Sequence, residues 1–154
     1  MGVEIERKFL IDKKRWQPGA SGLDIRQGYL VTEAHRTVRV RTKGNKGFLT
    51  IKGATSGISR MELEYEIPLS DAELLLDNLC LKPLIEKKRY IEQYGNHVWE
   101  IDVFYGDNEG LVVAEVELSS ADEQFALPEW IGKEVSGDKR YYNACLVKRP
   151  YKEW

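Results

Sequence analysis

Little in this 154-residue chain points to a covalent or metal-built framework, since it holds two cysteines and two histidines. Cys80 and Cys145 lie far apart, each in a helix-like apolar context with no metal-ligand spacing nearby. Reduced, buried thiols are therefore expected, not a disulfide. His35 and His97 fall in turn regions without partners at ligand spacing, so both are expected at the surface. Net charge is only −2, from 23 basic and 25 acidic residues, which argues against nucleic acid or another bulk polyelectrolyte as partner. No apolar run approaches the roughly 20 residues that span a bilayer. Charges begin at Glu4, unlike a signal peptide, and Glu6 stands where a myristoylation pattern needs Ser or Thr. A soluble cytoplasmic protein with no membrane partner is expected. With no internal repeat and no low-complexity linker, residues 1–154 read as a single domain, long enough to bury a core.

What the chain does have is alternation. Period-two patterning recurs over residues 2–11, 24–32, 36–43, 47–53, 60–68, 84–94, 97–105 and 110–118. Turn-like joints separate several of these, among them Gly44-Asn45-Lys46-Gly47 and Gly95-Asn96, and short joints favour antiparallel neighbours. Ser70-Asp71-Ala72-Glu73 reads as a capping box opening a helix through about Leu79. Ser120-Ala121-Asp122-Glu123 offers the same signal for a second helix, and a third is expected over Tyr141 to Val147.

In a strand, residues two apart share a face. The first strand therefore sets Glu4, Glu6 and Lys8 opposite Val3, Ile5 and Phe9. By the same parity Arg39 pairs with Arg41, and Thr50 with Lys52. Arg60, Glu62, Glu64 and Glu66 share a face, as do Lys87 and Arg89, Glu100 and Asp102, and Glu115 and Glu117. An ordinary antiparallel sheet would place such charges in water and the apolar residues inside. Solvated faces tend to pair opposite charges across neighbouring strands. Here the cations gather on the third, fourth and sixth strands, and the carboxylates on the first, fifth, seventh and eighth.

Eight antiparallel strands can close into a barrel whose interior just holds side chains or one small ligand. With the charged face inside, Lys8, Arg39, Arg41, Lys52, Lys87 and Arg89 would meet. Two like charges about 6 Å apart repel by roughly 3 kcal/mol at an effective dielectric near 20, so such a set needs carboxylates or a polyanion beside it. Arg and Lys suit phosphate oxygens, and carboxylates suit a hard cation such as Mg²⁺ that also binds phosphate. The expected fold is mainly β (α+β): a closed eight-stranded antiparallel barrel with a few peripheral helices. Its lumen reads as a metal–polyphosphate site.

These residues resemble a known family. The Glu4-Ile5-Glu6-Arg7-Lys8 row is similar to the ExExK signature of the CYTH superfamily, also called triphosphate tunnel metalloenzymes. The likeness continues through Gln27-Gly28-Tyr29-Leu30, Arg39-Val40-Arg41, Lys52, Glu62-Leu63-Glu64, Lys87-Lys88-Arg89 and Glu115-Val116-Glu117. It ends in Gly132-Lys133-Glu134-Val135 and Asp138 to Asn143, as in the short bacterial members. The resemblance implies that Glu4, Glu6, Glu115 and Glu117 hold Mg²⁺ or Mn²⁺, one or two ions, with Glu62 and Glu64 assisting or orienting water. It implies that Lys8, Arg39, Arg41, Lys52, Lys87 and Arg89 grip a triphosphate, and that Tyr29 lies near the phosphate. Glu62, Glu64, Lys8 and Arg41 are the expected catalytic set. Glu100 and Asp102 share the inward parity. Lys133, taken to lie outside a strand, is either a surface residue or a cation leaning over the tunnel mouth. Trp16, Trp99, Trp130 and Trp154 are expected to pack.

The implied activity is metal-dependent hydrolysis of inorganic triphosphate to pyrophosphate and phosphate. A class IV-type adenylate cyclase, a thiamine triphosphatase and a nucleoside triphosphatase share the same grip. The chain is short, with no insertion to build a base pocket, which favours the inorganic substrate. Outside enzymes, a polyphosphate-binding module would need the cations but not the matched carboxylates, and an apolar-ligand barrel would need the apolar face inside. Oligomeric state is open, a homodimer included.

Overall fold

The computed structural model describes residues 2–19 and 21–154. Nine strands form: β1 (Val3–Ile11), β2 (Leu23–Glu33), β3 (Arg36–Lys43), β4 (Lys46–Ser56), β5 (Ser59–Ile67), β6 (Ile85–Tyr94), β7 (His97–Phe104), β8 (Val112–Glu117) and β9 (Ile131–Glu134). Two α-helices accompany them, α1 (Leu69–Asn78) and α2 (Asn143–Lys148). The eight expected strands stand at or within a few residues of their expected bounds, because clean alternation marks a half-buried strand along its whole length.

Strand order is β5-β4-β3-β2-β6-β7-β8-β1-β9, and β1 also pairs with β5. That last pairing, through Val3↔Met61, Glu4↔Arg60 and Ile5↔Ser59, completes a ring of eight antiparallel strands. β1 pairs with three strands: β8 along residues 6–10, β5 at residues 3–5 and β9 at residues 9 and 11. Tight joints support the ring. Gly44 and Gly95 sit at φ of +61° and +62° in the β3–β4 and β6–β7 turns, a region that residues with a Cβ adopt at a cost.

The apolar faces point out of the ring and are covered unevenly. α1 lies over β3 and β4, and its Ala72 and Leu76, with Cys80 just past its end, pack with Val40. It can approach because Gly47 has no side chain: a Cβ there would come within 2.7 Å of that of Ala72. Phe125, Trp130 and Ile131 cover Phe9, Trp99, Ile101, Ala114 and Val116 on β1, β7 and β8. A third cluster joins Tyr29, Ile85, Phe104 and Val113 to Val135, Tyr141, Leu146 and Val147 of the C-terminal segment. Both cysteines are free; Cys80 is buried, whereas Cys145 is only partly so.

Three local expectations change. α1 begins at Leu69 with Pro68 as its cap residue and no side-chain cap. The Asp71 and Ala72 N–H groups already bond the Pro68 carbonyl, so Ser70 is inside the first turn, where its hydroxyl cannot cap. No helix forms at Ser120: Glu123 bonds the Ser119 N–H and His97 Nε2, and the turn stops after Glu123 N–H to Ser120 carbonyl. Phe125 is drawn into the core instead, and Pro128 disfavours helical backbone just before it. Lys133 lies within a strand, since β9 pairs with β1 through Phe9↔Glu134 and Ile11↔Ile131. Four residues are too few for a periodicity to show.

Candidate functional site

Closing the ring with its apolar residues outward puts the polar parity inward. The result is a cavity of about 540 Å³ lined by residues from all eight strands of the ring. Glu4, Glu6, Lys8, Tyr29, Arg39, Arg41, Lys52, Glu62, Glu64, Lys87, Arg89, Glu115 and Glu117 all line it, as does Glu100. Lys133 does not: it is exposed on β9, outside the lining. Tyr29 lines the cavity while packing in the cluster with Ile85 and Phe104.

The cations are neutralised in three groups. In the first, Asp102 on β7 accepts from Arg89 through Nε at 2.8 Å and Nη2 at 2.9 Å, and from Lys87 Nζ at 2.8 Å. Burial alone would raise the Asp102 carboxyl; Lys87 and Arg89 instead hold it far below the usual carboxylate range. Burial pushes the Lys87 ammonium down to about 8, Arg89 adding to that and Asp102 opposing it. In the second, Glu64 on β5 accepts from Arg39 and Arg41, each at 3.3 Å, and from the Thr50 hydroxyl at 2.6 Å. Burial, then Arg39 and Arg89, lower Arg41 to about 10. The Nε atoms of Arg39 and Arg41 are buried with no hydrogen-bond partner among the described residues. In the third, Lys52 Nζ lies 3.1 Å from Glu4 and 3.5 Å from Glu62.

Lys8 sits against the carboxylates. Burial opposes its charge, but Glu115 and Glu6 outweigh that and hold it above the usual lysine range. Its Nζ donates to the Tyr141 carbonyl at 3.2 Å and lies 5.5 Å from the Tyr142 ring.

The acidic side is under strain of its own. Burial, then Glu115, raise the Glu6 carboxyl well above its ordinary value, while Lys8 and a hydrogen bond from Glu6 keep Glu115 low. Burial also raises Glu4, with Glu62 and Glu115 adding to it against Lys52. Such carboxyls share a proton when alone and suit a hard cation when deprotonated. Among the described residues, no three His, Cys, Asp or Glu groups are gathered into a metal cage. An all-oxygen set of carboxylates fits a hard divalent cation, which takes one or two carboxylates together with phosphate oxygens.

Two parts of the cavity escaped sequence reasoning. Asp102 has the inward parity, yet only the structure shows it buried beneath Lys87 and Arg89 as their shared counter-ion. The C-terminal segment supplies lining from Ser136, Tyr142, Asn143 and Cys145; no strand period runs through it. Outside the cavity, His97 is partly buried against Glu123 and Phe125 instead of lying free on the surface. Trp16, Trp99 and Trp130 pack as expected, and Trp154 stacks edge-on against Tyr141 and Tyr151.

Known proteins share this sequence and this ring. An inorganic triphosphatase from Acetivibrio thermocellus is 50% identical over 154 residues, spanning 100% of this chain and 99% of its own. One from Nitrosomonas europaea is 37% identical over 150 residues, 94% of this chain and 97% of its own. A solved inorganic triphosphatase superposes with a TM-score of 0.67 at 35% identity, covering 96% of this chain and 95% of that one. The model of the CYTH domain matches residues 2–149, and the chain belongs to that family.

Proposed function

We propose that this protein hydrolyses inorganic triphosphate to pyrophosphate and phosphate with a divalent metal ion, Mg²⁺ or Mn²⁺. The observation that carries this reading is one cavity lined by Lys8, Arg39, Arg41, Lys52, Lys87 and Arg89 together with Glu4, Glu6, Glu115 and Glu117. The full-length likeness to a protein named an inorganic triphosphatase supports it. A small polyphosphate is the substrate, and neither nucleic acid nor a membrane takes part. No helix among the described residues is long and apolar enough to cross a membrane; we place the enzyme in the cytoplasm.

In this mechanism the six cations neutralise the oxygens of the bound chain and hold it extended along the tunnel. Positions fixed on rigid strands place positive charge where the transition state develops negative charge. A water oxygen attacks the terminal phosphorus, the bond to the bridging oxygen breaks, and pyrophosphate leaves with the electron pair. Glu62 is the better placed carboxylate to orient that water, since Glu64 is committed to Arg39, Arg41 and Thr50. Glu4, Glu6, Glu115 and Glu117 would hold the metal, which supplies Lewis-acid charge to the phosphoryl oxygens and lowers the pKa of a bound water.

The test is a phosphate-release panel of inorganic triphosphate, ATP, thiamine triphosphate and longer polyphosphate, with Mg²⁺ and with Mn²⁺, beside a cyclic-AMP assay. Inorganic triphosphate is expected to be the best substrate. Glu6→Gln and Arg41→Ala are each expected to lose about 100-fold or more while folding normally. Binding without metal-dependent phosphate release, or full activity in either variant, would sink the assignment.

A further inference from the structure

The segment from Ser136 to Lys148 forms part of the tunnel wall, yet none of the grip or metal residues assigned above lies on it. Its position is imposed by packing. Tyr141, Leu146 and Val147 are buried against Tyr29, Ile85 and Phe104, so the residues between them are carried over the cavity. Asn143 lies there, partly buried and lining it. Lys87 Nζ is 3.4 Å from Asn143 Oδ1.

Chemistry fixes which way that amide faces. An ammonium has donors only, so the Asn143 atom toward Lys87 must be its carbonyl oxygen. The Nδ2 group is then directed away from Lys87, and it makes no hydrogen bond with any described residue. An amide N–H₂ in a cavity lined by cations is a neutral donor that adds no charge repulsion. It suits an anionic oxygen already drawn in by Lys8 and Lys87.

We propose that Asn143 is a substrate-binding residue: Oδ1 holds Lys87 in place while Nδ2 donates to a phosphoryl oxygen of the bound chain. The inference rests on the triphosphate reading of the cavity and extends the site to the C-terminal segment. Asn143→Asp keeps the shape and the acceptor for Lys87 but replaces the donor with a negative charge. Asn143→Ala removes both.

Calorimetric titration with tripolyphosphate in chelator, on the full chain, reads the effect without hydrolysis. Melting temperature confirms that each variant is folded. A hydrogen bond to a charged oxygen corresponds to about a 10- to 100-fold change in affinity, so Asn143→Ala is expected to weaken binding by that factor. Asn143→Asp is expected to be weaker still. An Asp variant that binds as tightly as wild type, or more tightly than the Ala variant, overturns the donor role. So does an Ala variant that binds like wild type. A wild-type protein that binds tripolyphosphate but releases no phosphate with metal sinks the hydrolase reading and leaves the Asn143 comparison standing. A wild-type protein that does not bind tripolyphosphate overturns both.

Discussion

The wall built from β6 and β7 and the wall built from β4 and β5 carry the same kinds of residue but hold them differently. Asp102 and Lys87 are 2% and 1% exposed in their side chains and joined at 2.8 Å, with Arg89 clamped by two bonds. Across the tunnel Glu64 and Glu62 are 30% and 27% exposed, and their ion pairs run at 3.3 to 3.5 Å. The backing differs in the same sense. Behind β7 and β8, Trp99, Ile101 and Val116 are fully buried, whereas Met61, Leu63 and Tyr65 on the outside of β5 stay exposed. A dry outer face lets a strand hold charges in fixed positions at low local dielectric. A wet one leaves them adjustable. One wall is thus a preformed cradle, and the other can yield as a polyanion enters.

The sharpest way to break this comparison is to remove the counter-ion from each wall in turn. Asp102→Asn leaves Lys87 and Arg89 buried without a carboxylate and is expected to cost about 3–5 kcal/mol in urea denaturation. Glu64→Gln, being partly solvated and still able to bond Thr50, is expected to cost about 1 kcal/mol or less. Equal losses, or the reverse order, would remove the distinction between the walls.

A second test uses pH. Lys87 sits at about 8 in the fold against an ordinary lysine value of 10.5. Between those values the unfolded chain binds more protons at this position than the folded one, so this group makes stability rise with pH through that window. The contribution should show as a steeper rise in melting temperature from pH 8 to 10.5 for wild type than for Lys87→Met. Parallel slopes would mean that Lys87 stays fully charged in its cradle.

The smallest effect is expected on the exposed face of β5. Tyr65→Thr is expected to change stability by no more than about 0.5 kcal/mol. A loss of several kcal/mol would show that this face is covered in solution and that the soft wall is not soft.

The eight alternating strands were legible because each sets an apolar face against a charged one over most of its length, and period two records that directly. The short β9 was not, since its four residues become a strand by pairing with β1 and by the bond from Arg7 to Glu134. The capping signals at Ser70 and Ser120 were overridden, the first locally by Pro68 starting the helix earlier and the second by the tertiary contacts of Phe125 and His97. Glu4, Glu6, Lys8 and the paired arginines declared a shared face. What escaped was how deeply an inward residue is buried and which neighbours it serves. Asp102 looked like one more inward carboxylate, and Asn143 fell within the family-like stretch and the expected third helix without being given a role.

By itself, then, the sequence determined which residues share a face of each strand, because side-chain alternation is a property of the backbone. Whether those faces looked into water or into one another was decided by the tertiary structure. Closure of β1 onto β5 turned the charged faces inward, and α1 with the segment through Phe125 and Trp130 gave the apolar faces somewhere to be buried. Of the ion pairs in the cavity, Lys52 with Glu4 exists only because that closure brings β1 beside β5, whereas Asp102 with Lys87 and Arg89, and Glu64 with Arg39 and Arg41, form between strands that are already neighbours or one apart.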